Sequence, residues 1–404
     1  MIEILIGTLL GVVLGTISGL IPGVHANTLA GVLLSLQVIL LSVFGPLALA
    51  TAMFAALITH TFVDCIPSTF LGVPDPDTSL SVLPAHALCM EGNGEEAVRI
   101  AALGSACAII IAVPLSVLCF IFLPALQPYF DWGIGILLIA VVGYMIVMSE
   151  APGWAWGIFA VSGILGIFTL RYAYLSWHTF AGGSALLMPL LTGLFGISVL
   201  LTASQGAIPD QYFRGLRIDN KTVVKSSILG TLAGIAVGWL PGLSNATANG
   251  VLASVSGYDK DRRAYVLATS AANTANAFIG LAALFALSRM RNGVMVALSE
   301  LPLPSMSELM VVGVLAACAA YCITVGLSRS ATRLNGINGR TLNRVVILFV
   351  VALCLILTGP FGAFILLLAV VVGLVPHLVN VSRMYCMGAI MVPVMLYSFG
   401  IGGI

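Results

Sequence analysis

The sequence predicts an all-α integral membrane protein, with about ten transmembrane helices and two re-entrant hairpins arranged as two inverted-topology repeats. Three observations carry that expectation. Hydrophobic residues make up 60% of the 404 and charged residues only 8%, against roughly 25% charged in soluble domains. A glycine-rich segment near the start returns in the second half at an offset of 219 residues. Lysine and arginine gather in a few loops, which orients the chain.

The first apolar stretch, Ile2 to Ile21, carries Glu3, no basic leader and no small-residue cleavage pattern, so it reads as part of the fold rather than a signal peptide. It opens the repeated segment. Residues 11–35 (GVVLGTISGLIPGVHANTLAGVLLS) and 230–254 (GTLAGIAVGWLPGLSNATANGVLAS) share ten identities in 25 ungapped positions, among them Gly11/Gly230, Gly15/Gly234, Gly19/Gly238, Pro22/Pro241 and Gly23/Gly242. Each copy has an apolar arm, a Pro-Gly break, a polar run and a second short arm. Proline removes a backbone donor and glycine favours a helix end, and backbone that is not helical is tolerated at membrane depth only beside protein or a watery cavity. Two re-entrant hairpins, 2–41 and 226–256, follow, with hinges at Pro22 and Pro241. The competing reading is a kinked span whose glycines serve close packing, but a kink has no need of His25, Asn27 and Thr28 or of Ser244, Asn245, Thr247 and Asn249.

A second polar interruption follows each hairpin. In the first half it holds His60, Asp64, Pro67, Ser68 and Thr69, with Pro67 a further hinge; in the second it holds Thr269, Ser270, Asn273, Thr274 and Asn276. Further apolar runs at 97–123, 132–148, 154–170, 184–202, 307–328, 343–358, 361–380 and 384–403 mostly reach the roughly 17–25 residues that cross a bilayer as helix. With spans near 46 and 264, each half comprises a hairpin plus five spans: a first repeat at 1–202, a cytoplasmic connecting loop at 203–225, and a second repeat at 226–404.

Basic residues cluster at Arg214, Arg217, Lys221 and Lys225, at Lys260, Arg262 and Arg263, and at Arg329, Arg333, Arg340 and Arg344, which places those loops in the cytoplasm. Putting 203–225 and 257–263 on one side requires the second hairpin to return where it entered. An odd number of spans per half inverts one copy against the other. Arg289 and Arg291 fall on the outer side in this scheme.

The net charge of +1 argues against a nucleic-acid partner; the lipid bilayer is the partner that composition requires. Cysteines 65, 89, 107, 119, 318, 322, 354 and 386 lack CxxC spacing, so no metal site and no cofactor is expected. HExxH, GxSxG and paired catalytic carboxylates are missing from the sequence, which points away from an enzyme.

The paired Pro-Gly segments (Gly15 to Gly31; Gly234 to Gly250), the stretch LGVPDPDTSLSVLPAHALCMEGNGEEAVR at 71–99 and SAANTANA at 270–277 resemble the large permease subunit of tripartite tricarboxylate transporters, the TctA-type family. The resemblance spreads over both halves. It implies a cation-coupled carrier of carboxylates, partnered by a small membrane subunit and an extracytoplasmic binding protein, in the cell membrane. The sequence departs from the family at Pro74-Asp75, at Ser270 where an acid is usual, and in Ala-Leu-Phe-Ala-Leu after the second interruption. With 404 residues it reads as a divergent, short, archaeal-like branch.

The expected activity is secondary active transport of a small anionic solute, a carboxylate, coupled to Na+ or H+ by alternating access of the elevator type in a homodimer. Helix ends exposed by the two breaks offer N–H groups and a positive dipole end to the anion. The substrate-binding set is Gly23, His25, Asn27, Thr28, Gly242, Ser244, Asn245, Thr247 and Asn249. The cation-binding set is Asp64, Ser68, Thr69, Asn273, Thr274 and Asn276, with Asp64 as the acid placed well inside a span; its competing reading is a boundary residue paired to a loop arginine. His25 is open between a substrate donor and a packed ring, while His60, His178 and His377 read as packing or interface residues. A channel with a broken-helix filter is the alternative function.

Overall fold

The computed structural model describes residues 2–21, 26, 29–30, 33, 37–72, 82–177, 186–202, 209–240, 245, 248–249, 252, 261–290, 292–331 and 339–401. Among them every regular element is helical, and eight helices are long and apolar enough to cross a membrane. In chain order the helices are α1 (Ile2–Leu20), α2 (Gln37–Val43), α3 (Pro46–Val63), α4 (Cys65–Leu71), α5 (Val82–Met90), α6 (Gly94–Val147), α7 (Pro152–Arg171), α8 (Leu187–Thr202), α9 (Asn220–Trp239), α10 (Arg262–Leu287), α11 (Gly293–Ser299), α12 (Met306–Ala331), α13 (Gly339–Leu378) and α14 (Gly388–Ser398).

The runs 97–123 and 132–148 fall within one helical element, α6, of 54 residues with Pro114, Pro124 and Pro128 inside it, whose apolar stretches are Gly94–Pro128 and Gly135–Val147. Each proline removes one backbone hydrogen bond, which loosens a helix without compelling it to end. The helices α1 and α9, with 19 and 20 residues, are each long and apolar enough to cross a membrane. The boundary expected between 343–358 and 361–380 is present: Gly359, at φ 69 and ψ −166, interrupts α13 ahead of Pro360. The carbonyl of Thr358 at that break accepts from the Ser176 hydroxyl at 3.2 Å, and the Trp177 ring lies against Gly359 where a side chain would collide.

Buried side chains divide into two main cores. The first joins α1, α3, α4, the first part of α6, α10, α11 and α12; the second joins the end of α6, α7, α8, the end of α9, the later part of α13 and α14. The long helix α6 therefore enters both, and α9, seated on α10, reaches the second core at its end.

Glycines explain how the first core is built. Gly7, Gly11, Gly15 and Gly19 of α1 lie against Ala48, Ala52, Ala56 and Val63 of α3, while Gly230, Gly234 and Gly238 of α9 lie against Ala268, Ala272 and Ile279 of α10. A Cβ added at Gly15 would meet the Ala56 carbonyl oxygen at 2.5 Å, and one at Gly238 would meet the Ile279 Cβ at 2.8 Å; only hydrogen fits, which lets the backbones touch. The rising numbers on both sides mean that α1 runs parallel to α3 and α9 parallel to α10. The chain must therefore come back to its starting end between the members of each pair.

The correspondence continues past the glycines. Ala52, Ala56, Thr59 and Val63 stand 216 residues before Ala268, Ala272, Ala275 and Ile279. Pro46–Leu71, taken through the single turn residue Asp64, and Arg262–Leu287 are both 26 residues long and also lie 216 apart. Both end on a left-handed residue, Gly72 at φ 64 and Ser288 at φ 50.

The segment joining the halves is bound to the first core. Gln211 Oε1 accepts from the Gly94 N–H at 2.7 Å and its amide donates to the Cys89 carbonyl at 2.9 Å; Tyr212 N–H donates to the Gly92 carbonyl at 2.9 Å. Buried Glu96 accepts from Arg217 at 2.6 Å and from Arg263 at 2.9 Å, so both basic segments lie at one end of the bundle. Asp219 then caps α9 through Thr222, whose hydroxyl and N–H hold the Asp219 carboxyl below its ordinary pKa.

Candidate functional site

The site is assembled where α3 gives way to α4. Asp64 is the turn residue between them; its N–H still reaches the His60 carbonyl at 3.0 Å, and its own carbonyl accepts from the Ser68 hydroxyl at 2.8 Å. The dihedrals of Asp64 remain right-handed helical, so Pro67 softens one turn without redirecting the chain. Gly72 ends α4 in a left-handed conformation, with the His86 ring of α5 against it. His86 Nδ1 donates to the Thr69 carbonyl at 2.9 Å, and burial holds the His86 imidazole below its usual pKa, against the opposing pull of that hydrogen bond.

A chain of side-chain amides crosses from the second half to this turn. Asn245 Nδ2 donates to Asn273 Oδ1 at 3.0 Å, and Asn273 Nδ2 donates to Asp64 Oδ2 at 3.0 Å. All three are buried, Asp64 at 5% exposure. Asn273 sits near the middle of α10. Four residues beyond Asn245, the Asn249 carbonyl accepts from the Tyr265 hydroxyl at 2.8 Å, and Leu252 packs with Tyr265, Ala268 and Ala272. Rising numbers from 245 to 252 thus meet falling numbers on α10, as the chain returns beside that helix. At the matching places of the first copy, 219 residues earlier, Ala26, Ala30 and Leu33 are buried in the first core.

Beside Asp64 is a cavity of about 20 Å³, lined by Asp64, Cys65, Ser68, Thr69, Ala85, Ala101, Val266, Ser270 and Asn273. It has room for one water-sized guest. Thr69 is 1% exposed and its Oγ1 has no hydrogen-bond partner, which is costly for a buried hydroxyl. The Oδ1 of Asn245 is likewise buried without a partner.

Of the residues expected at the site, Asp64, Ser68, Thr69 and Asn273 meet around this cavity, and Asn245 joins them through its amide. Thr274 shares a hydrogen bond with Thr61 at 3.1 Å instead, and the half-buried Asn276 turns its backbone to the α9 face beside Gly238. Neither lines the cavity. Gly23, His25, Asn27, Thr28, Gly242, Ser244, Thr247, Pro22 and Pro241 lie outside the described residues, as does His178. His60 is buried with Nδ1 3.1 Å from the Ser18 hydroxyl, and His377 is exposed. Sequence reasoning left Cys65 and Ser270 out of the site set. Ser270 sits on the same helix face as Asn273, three residues on, a spacing that singles it out once Asn273 is placed.

The model of the tripartite tricarboxylate transporter TctA family matches residues 5–388. An uncharacterized protein of Methanocaldococcus jannaschii is 28% identical over 97% of this chain and 98% of its own length. No solved structure matches.

Proposed function

Because the chain belongs to the tripartite tricarboxylate transporter TctA family, and so is a multi-pass transporter protein of the cell membrane, we propose that it is a secondary active carrier that takes up a small carboxylate together with a cation, Na+ or H+, by alternating access. The observation that carries this reading is the hydrogen-bonded chain from Asn245 through Asn273 to Asp64. It joins a segment just past the second Pro-Gly break to a buried acid on the other half, the relation a coupled carrier needs between substrate and ion.

In this reading the repeats are 1–202 and 226–404, joined by 203–225, with hairpins 2–41 and 226–256 presenting their tips to the substrate. Support comes from the directions of the helices. Phe54 meets Phe278 edge to face, Thr61 meets Thr274 and Asp64 meets Asn273, so α3 and α10 cross with opposite sense, as inverted copies would. Gly23, His25, Asn27, Thr28, Gly242, Ser244, Asn245, Thr247 and Asn249 hold the carboxylate through N–H, amide and hydroxyl donors. The cation lies at Asp64, Ser68, Thr69 and Asn273. Two cores bridged by α6 and by the end of α9 suit a moving body and a scaffold, which supports elevator-type movement and dimerisation through the second core. The family's description as tripartite supports two further partners, a small membrane subunit and an extracytoplasmic binding protein.

The test is uptake of labelled di- and tricarboxylates into proteoliposomes under an imposed sodium or proton gradient. Gradient-dependent, saturable uptake that Asn245→Ala abolishes is the expected result. Transport of neutral or cationic solutes alone by correctly inserted protein overturns the reading.

A further inference from the structure

Resting on that carrier reading, we propose that the cavity beside Asp64 binds one dehydrated monovalent cation of sodium size, with Thr69 and Ser270 as ligands beside Asp64, Ser68 and Asn273, and that the chain holds one such site and not a symmetric pair. Five residues with side-chain oxygens, Asp64, Ser68, Thr69, Ser270 and Asn273, line a space of about 20 Å³, and hard cations are held by carboxylate and neutral oxygens. A proton would need the carboxylate alone. It would leave the Thr69 Oγ1, buried and without a partner, unexplained; a cation gives that lone pair something to bind. Among the lining residues Asp64 is the one acid, fewer carboxylates than a divalent ion in a low dielectric calls for, so the lining suits a monovalent ion.

The number of sites follows from the packing register. With the offset of 216 that relates Ala52 to Ala268 and Gly72 to Ser288, the five oxygen-bearing positions 64, 68, 69, 270 and 273 fall on Gly280, Leu284, Phe285, Phe54 and Leu57. Every counterpart is apolar. The second copy of the scaffold has the same helix and none of the ligands.

The experiment is thermal stabilisation of the purified full chain by sodium chloride in the absence of any carboxylate, against choline chloride at equal ionic strength. Sodium, and more weakly lithium, should raise the midpoint along a single-site curve, with potassium ineffective. Thr69→Val, which keeps the shape of the side chain, and Ser270→Ala should each raise the sodium concentration for half-effect at least tenfold, with midpoints in choline near that of the parent. Asp64→Asn should remove the response. A sodium response unchanged in both Thr69→Val and Ser270→Ala, a curve demanding two ions, or stabilisation that tracks pH and ignores sodium overturns the proposal. Sodium stabilisation with no carboxylate transported would leave this site standing and bring down the carrier reading; carboxylate uptake coupled only to protons would do the reverse.

Discussion

The helix running from α3 through α4 and its counterpart α10 have the same length, lie against glycine-ridged helices in the same register and stop on a left-handed residue. Their contents differ. The return arm after the first break buries Ala26, Ala30 and Leu33, whereas the second buries Asn245, Asn249 and Leu252 at the same spacing. Around Asp64 the first copy is polar where the second has Gly280, Leu284 and Phe285. Packing was kept on both sides because the glycine contacts admit nothing larger, while polarity was kept on one side because a buried acid or amide at membrane depth is expensive without a function.

The comparison breaks most readily at Asp64. Asp64→Asn removes the carboxylate that would hold the coupling cation inside the membrane, so it should lower uptake roughly 100-fold or more, while Leu57→Met in the matching apolar region leaves uptake near normal, both read in proteoliposomes at equal protein content. Next in size are the shared glycines. Gly15→Val and Gly234→Val should each destabilise by about 1–3 kcal/mol or more through overpacking, and by similar amounts, measured as detergent melting midpoints; a large effect at one and none at the other would mean the two ridges are not equivalent. Smaller is Asn273→Leu, which installs the residue of the matching position and breaks both amide contacts. Hydrogen bonds between membrane helices are worth about 0.6–2 kcal/mol and Asn273 is also a ligand of the proposed cation, so the half-saturating cation concentration should rise about tenfold or more. Smallest is Glu91→Gln: its ion pair with Arg262 is nearly half exposed on both sides, and the melting midpoint should move by under about 0.5 kcal/mol in equivalent stability.

Much of this was legible in the residues. The glycine ridges, the breaks after them and the acid at 64 stand out in a sequence with so few charges. The partnership of Pro46–Leu71 with Arg262–Leu287 did not, for a definite reason: the offset slips from 219 to 216 between Ser35 and Pro46, and what survives in the partner helices is small size at contact points, such as Ala52 and Ala56, which membrane helices supply anyway. Thr274 and Asn276 looked equivalent to Asn273 because all three are polar within one turn; helical rotation sends Thr274 to Thr61, and Asn276 meets α9 through its backbone carbonyl. Glu96 was read only as part of a longer stretch, and its role as the meeting point of Arg217 and Arg263 depends on two chain segments more than a hundred residues away.

The glycine ridges also act as keyed joints. With α1 seated on the backbone of α3, and α9 on that of α10, neither partner can slide or roll by a fraction of a residue without driving a side chain into a carbonyl. Each pair therefore travels as one piece. Whatever displacement the molecule makes must be taken up where tolerances are looser: along the proline-bearing length of α6, and at Gly359, where α13 is already parted and the Trp177 ring fills the gap like a washer.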